Sequence, residues 1–326
     1  MQRRSLLAAT FATICAMAAP AAIAQDIREL NFGIISTEST QNLRQDWAPI
    51  LADLERRTGY KVNAFFAPDY AGIVEAMRFN KVQVAWYGNR AAIEAVDRAG
   101  GEVFAQMVNA DGTEGYYSHL IVHRDSNLRT LEDVLRNARS LAFGNGDPNS
   151  TSGFLVPGYY AFAKNNFDPR TAFRVMRSAN HETNALAVAN RQVDVATNNS
   201  ESLDRFKSRF PEKFNELRIV WSSPLIPLDP LVMRADLPPV AKHKLREFFL
   251  TYGRSEQERA NLMKLSKLAG FRESSNRQLI PIRQLDLFRE RTRIENDDKI
   301  AAGERQTRLA DIERRLAELS QQLAQR

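Results

Sequence analysis

The chain has 326 residues, with 45 lysines and arginines against 39 aspartates and glutamates, a formal net charge of +6 and a single cysteine. The basic residues are interleaved with acidic ones and form no tract, which argues against a nucleic-acid partner. A lone Cys15 excludes an internal disulfide framework and a cysteine metal site, and the length suits two domains or lobes better than one small core.

The first residues read as an export signal: Arg3 and Arg4, an apolar run from about Leu6 to Ala18, then Ala22-Ile23-Ala24 before Gln25. Removing residues 1–24 takes Cys15 and two arginines, leaving 302 residues that carry +4. The apolar run is too short to span a bilayer, and no later stretch approaches the roughly 18 apolar residues a span needs, so a soluble exported protein is expected. Arg3-Arg4 also fits a twin-arginine leader; ordinary secretion is the simpler reading.

From Leu30 onward, short apolar runs alternate with helical patterns, the rhythm of an α/β fold. Residues 30–35 read as strand. Leu43 to Arg57 sets Trp47, Ile50, Leu51 and Leu54 at helical spacing, and Gly59 is placed to end the helix. Strand is expected at 62–66, helix at 73–79, and strands at 82–86, 103–108 and 117–123, the last carrying the chain toward a second lobe. There the rhythm repeats with strand 140–143, helix 152–164, strand 173–177, helix 182–191 and strand 193–196. Two stretches match each other: Phe79-Asn80-Lys81-Val82-Gln83-Val84-Ala85 and Asn190-Arg191-Gln192-Val193-Asp194-Val195-Ala196 share a helix end, a polar turn and Val-x-Val-Ala, as two equivalent lobes would. The loops that follow, 86–89 and 197–201, lie at the carboxyl ends of strands, where open α/β sheets bind ligands. After strands at 217–221 and 231–233 the chain turns helical. Leu309, Ile312, Leu316, Leu319 and Leu323 then form a seam suited either to a homodimer through this C-terminal helix or to packing on the chain's own helices.

The segment GDPNSTSGFLVP, residues 146–157, sets Ser150, Thr151 and Ser152 between a strand end and an apolar run. Ser150 or Ser152 can cap the next helix, whose first turn offers unpaired amides and a positive dipole end to an anion without a formal counter-charge. An ordinary N-cap after a surface loop explains the same residues structurally. Other loop-end residues are candidates to join this site: Tyr70, Tyr116, His181, Glu201, and Asp229 in Pro227-Leu228-Asp229-Pro230. Each has a structural alternative: partial core for the tyrosines, an N-cap for His181, a helix start for Glu201 and turn shaping for Asp229.

Four stretches carry a family resemblance: Asn31-Phe32-Gly33-Ile34-Ile35-Ser36-Thr37-Glu38-Ser39, Asn63-Ala64-Phe65-Phe66-Ala67-Pro68-Asp69-Tyr70-Ala71-Gly72, residues 143–153 around the hydroxyl run, and His181-Glu182-Thr183-Asn184-Ala185-Leu186-Ala187-Val188-Ala189-Asn190. Over residues 30–290 the chain resembles the PhnD-type periplasmic phosphonate-binding proteins. The resemblance implies an α/β, type II periplasmic binding protein that feeds an ABC permease in the inner membrane. Its two lobes would be residues 25–118 plus 228–290 and residues 119–227, joined by a two-strand hinge, with 291–326 as a helical tail. It further implies that Ser150, Thr151 and Ser152 hold a phosphonate together with His181 and a tyrosine, Tyr70 or Tyr116. Glu201 and Asp229 would then meet the amine of 2-aminoethylphosphonate. A zwitterion requires this division, with uncharged donors for one end and carboxylates for the other.

Other functions fit less well. A binding protein for phosphite or phosphate would leave Glu201 and Asp229 without a role, and a module reporting to a sensor is not distinguished by one chain. A secreted phosphoester hydrolase using Ser150 or Thr151 would need an activating base, and no nucleophile-elbow pattern accompanies the run. His119, His123, His181 and His243 show no metal-ligand spacing, and His119 and His123 on a strand would stand about 13 Å apart. No catalytic residue, cofactor or metal is therefore expected.

Overall fold

In the computed structural model, which describes residues 27–325, the first lobe is a six-stranded sheet in the order β13-β4-β12-β3-β1-β2. The expected export signal lies outside the described residues. The strands are β1 (Glu29–Ile34), β2 (Lys61–Phe66), β3 (Val84–Trp86), β4 (Gly101–Asn109), β12 (Pro230–Arg234) and β13 (Leu268–Glu273). Parallel β1, β2 and β3 are linked by helices α1 (Thr40–Thr58) and α2 (Tyr70–Arg78), while β12 and β13 return antiparallel. Alternation along β1 buries Leu30, Phe32 and Ile34 completely, and Phe32 meets Trp47 of α1 with ring centroids 4.9 Å apart. The helix is capped by Ser39, whose hydroxyl accepts from the Asn42 amide, and Gly59 ends it at φ 73°. Helix α3 (Asn89–Arg98) follows β3 directly.

The second lobe is a five-stranded sheet, β10-β6-β9-β7-β8, made of β6 (Ser118–His123), β7 (Ala142–Asn145), β8 (Val175–Ser178), β9 (Val195–Asn199) and β10 (Leu217–Ser222). One face carries α4 (Leu131–Asn137), the short α5 (Pro169–Ala172) and an aromatic cluster of Phe143, Phe162 and Phe173. The other packs Val188 of α6 (His181–Ala189), Leu203 and Phe206 of α7 (Ser200–Arg209), and the neighbouring α8 (Pro211–Phe214). The expected helix over 152–164 is instead a pair of widened π turns, Thr151–Leu155 and Gly158–Phe162, ending in a short 3-10 turn. Such turns are frequent at functional sites.

The matched stretches are structurally equivalent. Asn80 and Arg191 occupy the same place in each and are both left-handed, at φ 54° and 57°. The Lys81 and Gln192 amides each reach back to a helix carbonyl, Ala76 and Ala187, at 2.8 Å. β3 and β9 then sit inside their sheets, and each launches a helix.

The lobes are joined by an antiparallel pair, β5 (Gly115–Tyr116) and β11 (Ile226–Pro227). The passage is shorter than expected, because β6 and β10 pair within the second sheet. Gly115 is required there: a Cβ would lie 2.2 Å from the Ile226 carbonyl oxygen.

Helices α9 (Pro239–Thr251) and α10 (Glu256–Ser266) pack on the first sheet. They are followed by α11 (Ile280–Glu295) and α12 (Ala302–Ala324). Ile312 of α12 is buried with Leu287 and Ile294 of α11, and Leu309, Leu316 and Leu319 pack around them. This is the packing on the chain's own helices to which the seam is also suited; Leu309, Leu316 and Leu319 stay half-buried and Leu323 exposed.

Candidate ligand-binding site

The hydroxyl run follows β7 across the loop 146–149. Gly146 and Gly153 pinch the loop, the Gly146 amide donating to the Gly153 carbonyl at 3.0 Å, and a Cβ on Gly146 would lie 2.5 Å from the Gly153 backbone. Ser150 is the N-cap, its hydroxyl accepting from the Gly153 amide at 2.9 Å. Thr151 Oγ1 accepts from the Arg90 amide of α3 at 2.9 Å, a bond that crosses between lobes. Ser152 Oγ accepts from Asn199 Nδ2 at 3.0 Å. Each hydroxyl thus has an amide donor fixing its oxygen, which aims its own proton elsewhere, and all three residues are buried. The Tyr70 hydroxyl lies beside the Ser150 side chain, and burial raises its pKa, so it stays protonated.

His181 is the first residue of α6, after the Asn180 cap, and its amide donates to the Thr37 carbonyl of the first lobe at 3.1 Å. Asn199 fixes the imidazole. Its Oδ1 accepts from the Ser202 amide at 2.7 Å, so its Nδ2 is the donor that reaches His181 Nε2 at 3.1 Å. Nε2 is therefore an acceptor, and the ring proton lies on Nδ1, which is buried without a partner. Burial, reinforced by Arg205, lowers the imidazole pKa to about 4. At neutral pH His181 is an uncharged donor.

At the other end, Asp229 precedes β12 and is buried; its carboxylate accepts from Trp86 Nε1 at 3.0 Å and from the Tyr116 hydroxyl at 3.4 Å. Tyr116 also lies beside the Ser152 side chain, between the two ends of the site, and burial raises its pKa. Glu201, in the first turn of α7, holds Oε1 buried with no partner. Burial raises the pKa of both carboxyls, and repulsion from Glu201 raises Asp229 further. Beside Glu201, Trp47, Trp86 and Arg205 help wall a cavity of about 10 Å³, room for one water.

The lobes are closed on one another. Besides the Thr151 and His181 contacts, the Tyr70 amide donates to Asp147 Oδ2 at 3.2 Å. Around this seam, Arg205 and Arg209 of α7 hold Glu38 and Arg209 holds Asp46, while Glu182 accepts from Asn42 Nδ2 at 2.6 Å. Elsewhere, His123 lies near Asp125 and Glu216, with Nε2 3.0 Å from Glu216. Arg124 and Arg191 already match these carboxylates, so the group is an ion-pair network.

All eight residues singled out from the sequence come together. Three further residues of the site were not singled out: Trp86, Asn199 and Arg205. Arg205 carried a readable signal, four residues after Glu201 on a helix.

Residues 32–279 match the family described as ABC transporter, phosphonate, periplasmic substrate-binding protein. The phosphonates-binding periplasmic protein of Escherichia coli is 53% identical over 315 residues, 97% of this chain and 93% of that protein. The chain belongs to this family. A binding-protein component of a phosphonate ABC transporter from Pseudomonas aeruginosa superposes with TM-score 0.90 at 55% identity, covering 92% of this chain and 99% of the other. A Prochlorococcus marinus protein solved with methylphosphonate shares the fold at TM-score 0.71 and 19% identity, covering 79% and 97% of the two chains. The protein is thus a periplasmic phosphonate-binding component of an ABC transporter with the two-lobed type II fold, and among the described residues no helix is long and apolar enough to cross a membrane.

Proposed function

We propose that the protein delivers 2-aminoethylphosphonate to its permease, binding the phosphonate with Tyr70, Ser150, Thr151, Ser152 and His181 and the ammonium with Glu201 and Asp229, with Tyr116 between the two groups. The observation that carries this reading is the division of the site: protonated neutral donors on one side and, on the other, buried Asp229 with the Glu201 carboxyl near enough to repel it. A cation between the carboxyls relieves both their repulsion and their lost hydration. A phosphonate without an amine leaves them protonated or unpaired, which is a penalty against that ligand. Phosphate and phosphite meet the same penalty.

Several observations support binding without turnover. His181 Nε2 is engaged by Asn199 rather than by a serine hydroxyl, so this imidazole is not paired as a base with the hydroxyl run. The relatives named above are substrate-binding proteins. We place the lobe boundaries at 118/119 and 227/228, beside the β5–β11 pair, and assign to the permease the closed face that a filled cleft stabilises further.

Calorimetric titration with 2-aminoethylphosphonate, ethylphosphonate and phosphate tests the reading. The amine ligand should bind at least about 30-fold more tightly than ethylphosphonate, the lower range for a buried charged contact. Equal affinities for the first two ligands would remove the amine from the account.

A further inference from the structure

Arg205 sits between the ligand site and the seam that closes the cleft. It belongs to the second lobe, yet its Nε donates to Glu38 and its Nη1 to Ser266 Oγ at 2.8 Å, both in the first lobe, while Nη2 stays on its own helix at Ser202 Oγ, 3.0 Å. One helical turn before it, Glu201 attracts the same guanidinium electrostatically. A glutamate four residues N-terminal to an arginine is the favourable order for an ion pair on a helix. Yet among the described residues no ion pair or hydrogen bond joins the two, and Glu201 Oε1 is left buried and bare. In this closed form Arg205 is held by a carboxylate of the other lobe instead.

We propose that Arg205 is a selectivity residue that exchanges partners on closure: it pairs with Glu201 while the cleft is open and with Glu38 when it shuts, baring Glu201 for the ligand's ammonium. The inference rests on the amine-recognition reading above. Glu201 would lose its internal counter-charge at the moment the ammonium arrives. With a phosphonate that has no amine, closure would strand Glu201, so the seam itself would reject that ligand. Asp46 binds Arg209 and acts on Arg205 only through space, more weakly than Glu38 or Glu201, so it holds the lobes together without being a partner in the exchange.

The test compares Glu38→Gln and Asp46→Asn with wild type, titrating each with 2-aminoethylphosphonate and ethylphosphonate. Glu38→Gln leaves Arg205 on Glu201 in competition with the ammonium, so the ratio of the two affinities should fall about ten-fold. Asp46→Asn should weaken both ligands by the same factor and leave the ratio unchanged. Placing Glu38→Gln on a Glu201→Gln background should abolish its effect on the ratio. An unchanged ratio in Glu38→Gln overturns the exchange, whereas a wild-type protein with no preference for the amine overturns the underlying reading. A ligand-free open crystal form gives an answer independent of any variant: Arg205 within 4 Å of Glu201 supports the exchange, and Arg205 still on Glu38 refutes it.

Discussion

Replacing Asp229 with asparagine should stabilise the ligand-free protein while impairing it as a binder. Asp229 is buried, and both burial and the neighbouring Glu201 push its pKa well above the ordinary carboxylate value. The folded pKa lies above that of an unfolded aspartate, so folding takes up a proton. The resulting contribution to stability is fully present below about pH 4 and is lost as pH rises through the folded value. At neutral pH two neighbouring carboxyls therefore weaken the ligand-free closed form. The amide removes one of them and keeps polar atoms for Trp86 Nε1 and the Tyr116 oxygen. Relief of about 1–2 kcal/mol should raise Tm by about 2–4 °C at pH 7.5 and by less near pH 4. The same change removes half of the ammonium's counter-charge, a loss of about 2–5 kcal/mol or roughly 30- to 4,000-fold in 2-aminoethylphosphonate affinity, with little loss for ethylphosphonate. Differential scanning calorimetry and titration on the same preparation measure both. A lowered Tm together with an equal loss for both ligands would refute the reasoning.

At the opposite end, Thr151→Val should weaken amine-bearing and plain phosphonates by the same factor, about ten-fold from one lost hydrogen bond to a charged group, as titration with both would register. Calorimetry in buffers of different ionisation heat should show protons released when 2-aminoethylphosphonate binds, since the ammonium lowers the raised pKa values of Glu201 and Asp229; proton uptake would contradict this. His181, lowered to about 4, should show no imidazole titration by NMR between pH 5.5 and 8, and its contribution to stability, present above about pH 6.5, should be lost as pH falls toward 4. Ile312→Ala should cost about 2–4 kcal/mol, seen as a lower denaturant midpoint, because that side chain fills the interface between α11 and α12.

Much of this architecture is legible in the residues. The alternation of Leu30, Phe32 and Ile34 and the spacing of Trp47, Ile50 and Leu54 each answer to one buried face, so local pattern and burial agree. The Asn80 and Arg191 turns were visible as a repeat because the same backbone geometry recurs in both lobes. The site residues were found at strand and helix ends because that is where a doubly wound sheet exposes them. What stayed hidden depends on approach in space rather than on spacing. Trp86 meets Asp229 across 143 positions, and Glu38 meets Arg205 across 167. The leucine seam was ambiguous for a related reason: its periodicity shows that a helix covers it, but not whose helix. The π turns at 151–162 likewise leave no periodic signal distinct from that of an α-helix.

The central claim is that one cleft offers neutral donors to a phosphonate and carboxylates to its amine. A crystal structure of the complex with 2-aminoethylphosphonate tests it most directly. The account predicts phosphonate oxygens within about 3 Å of the Ser150, Thr151 and Ser152 hydroxyls and of His181 Nδ1, with the nitrogen between Glu201 and Asp229. A ligand bound in the reverse sense, or with its nitrogen turned to solvent, would contradict it.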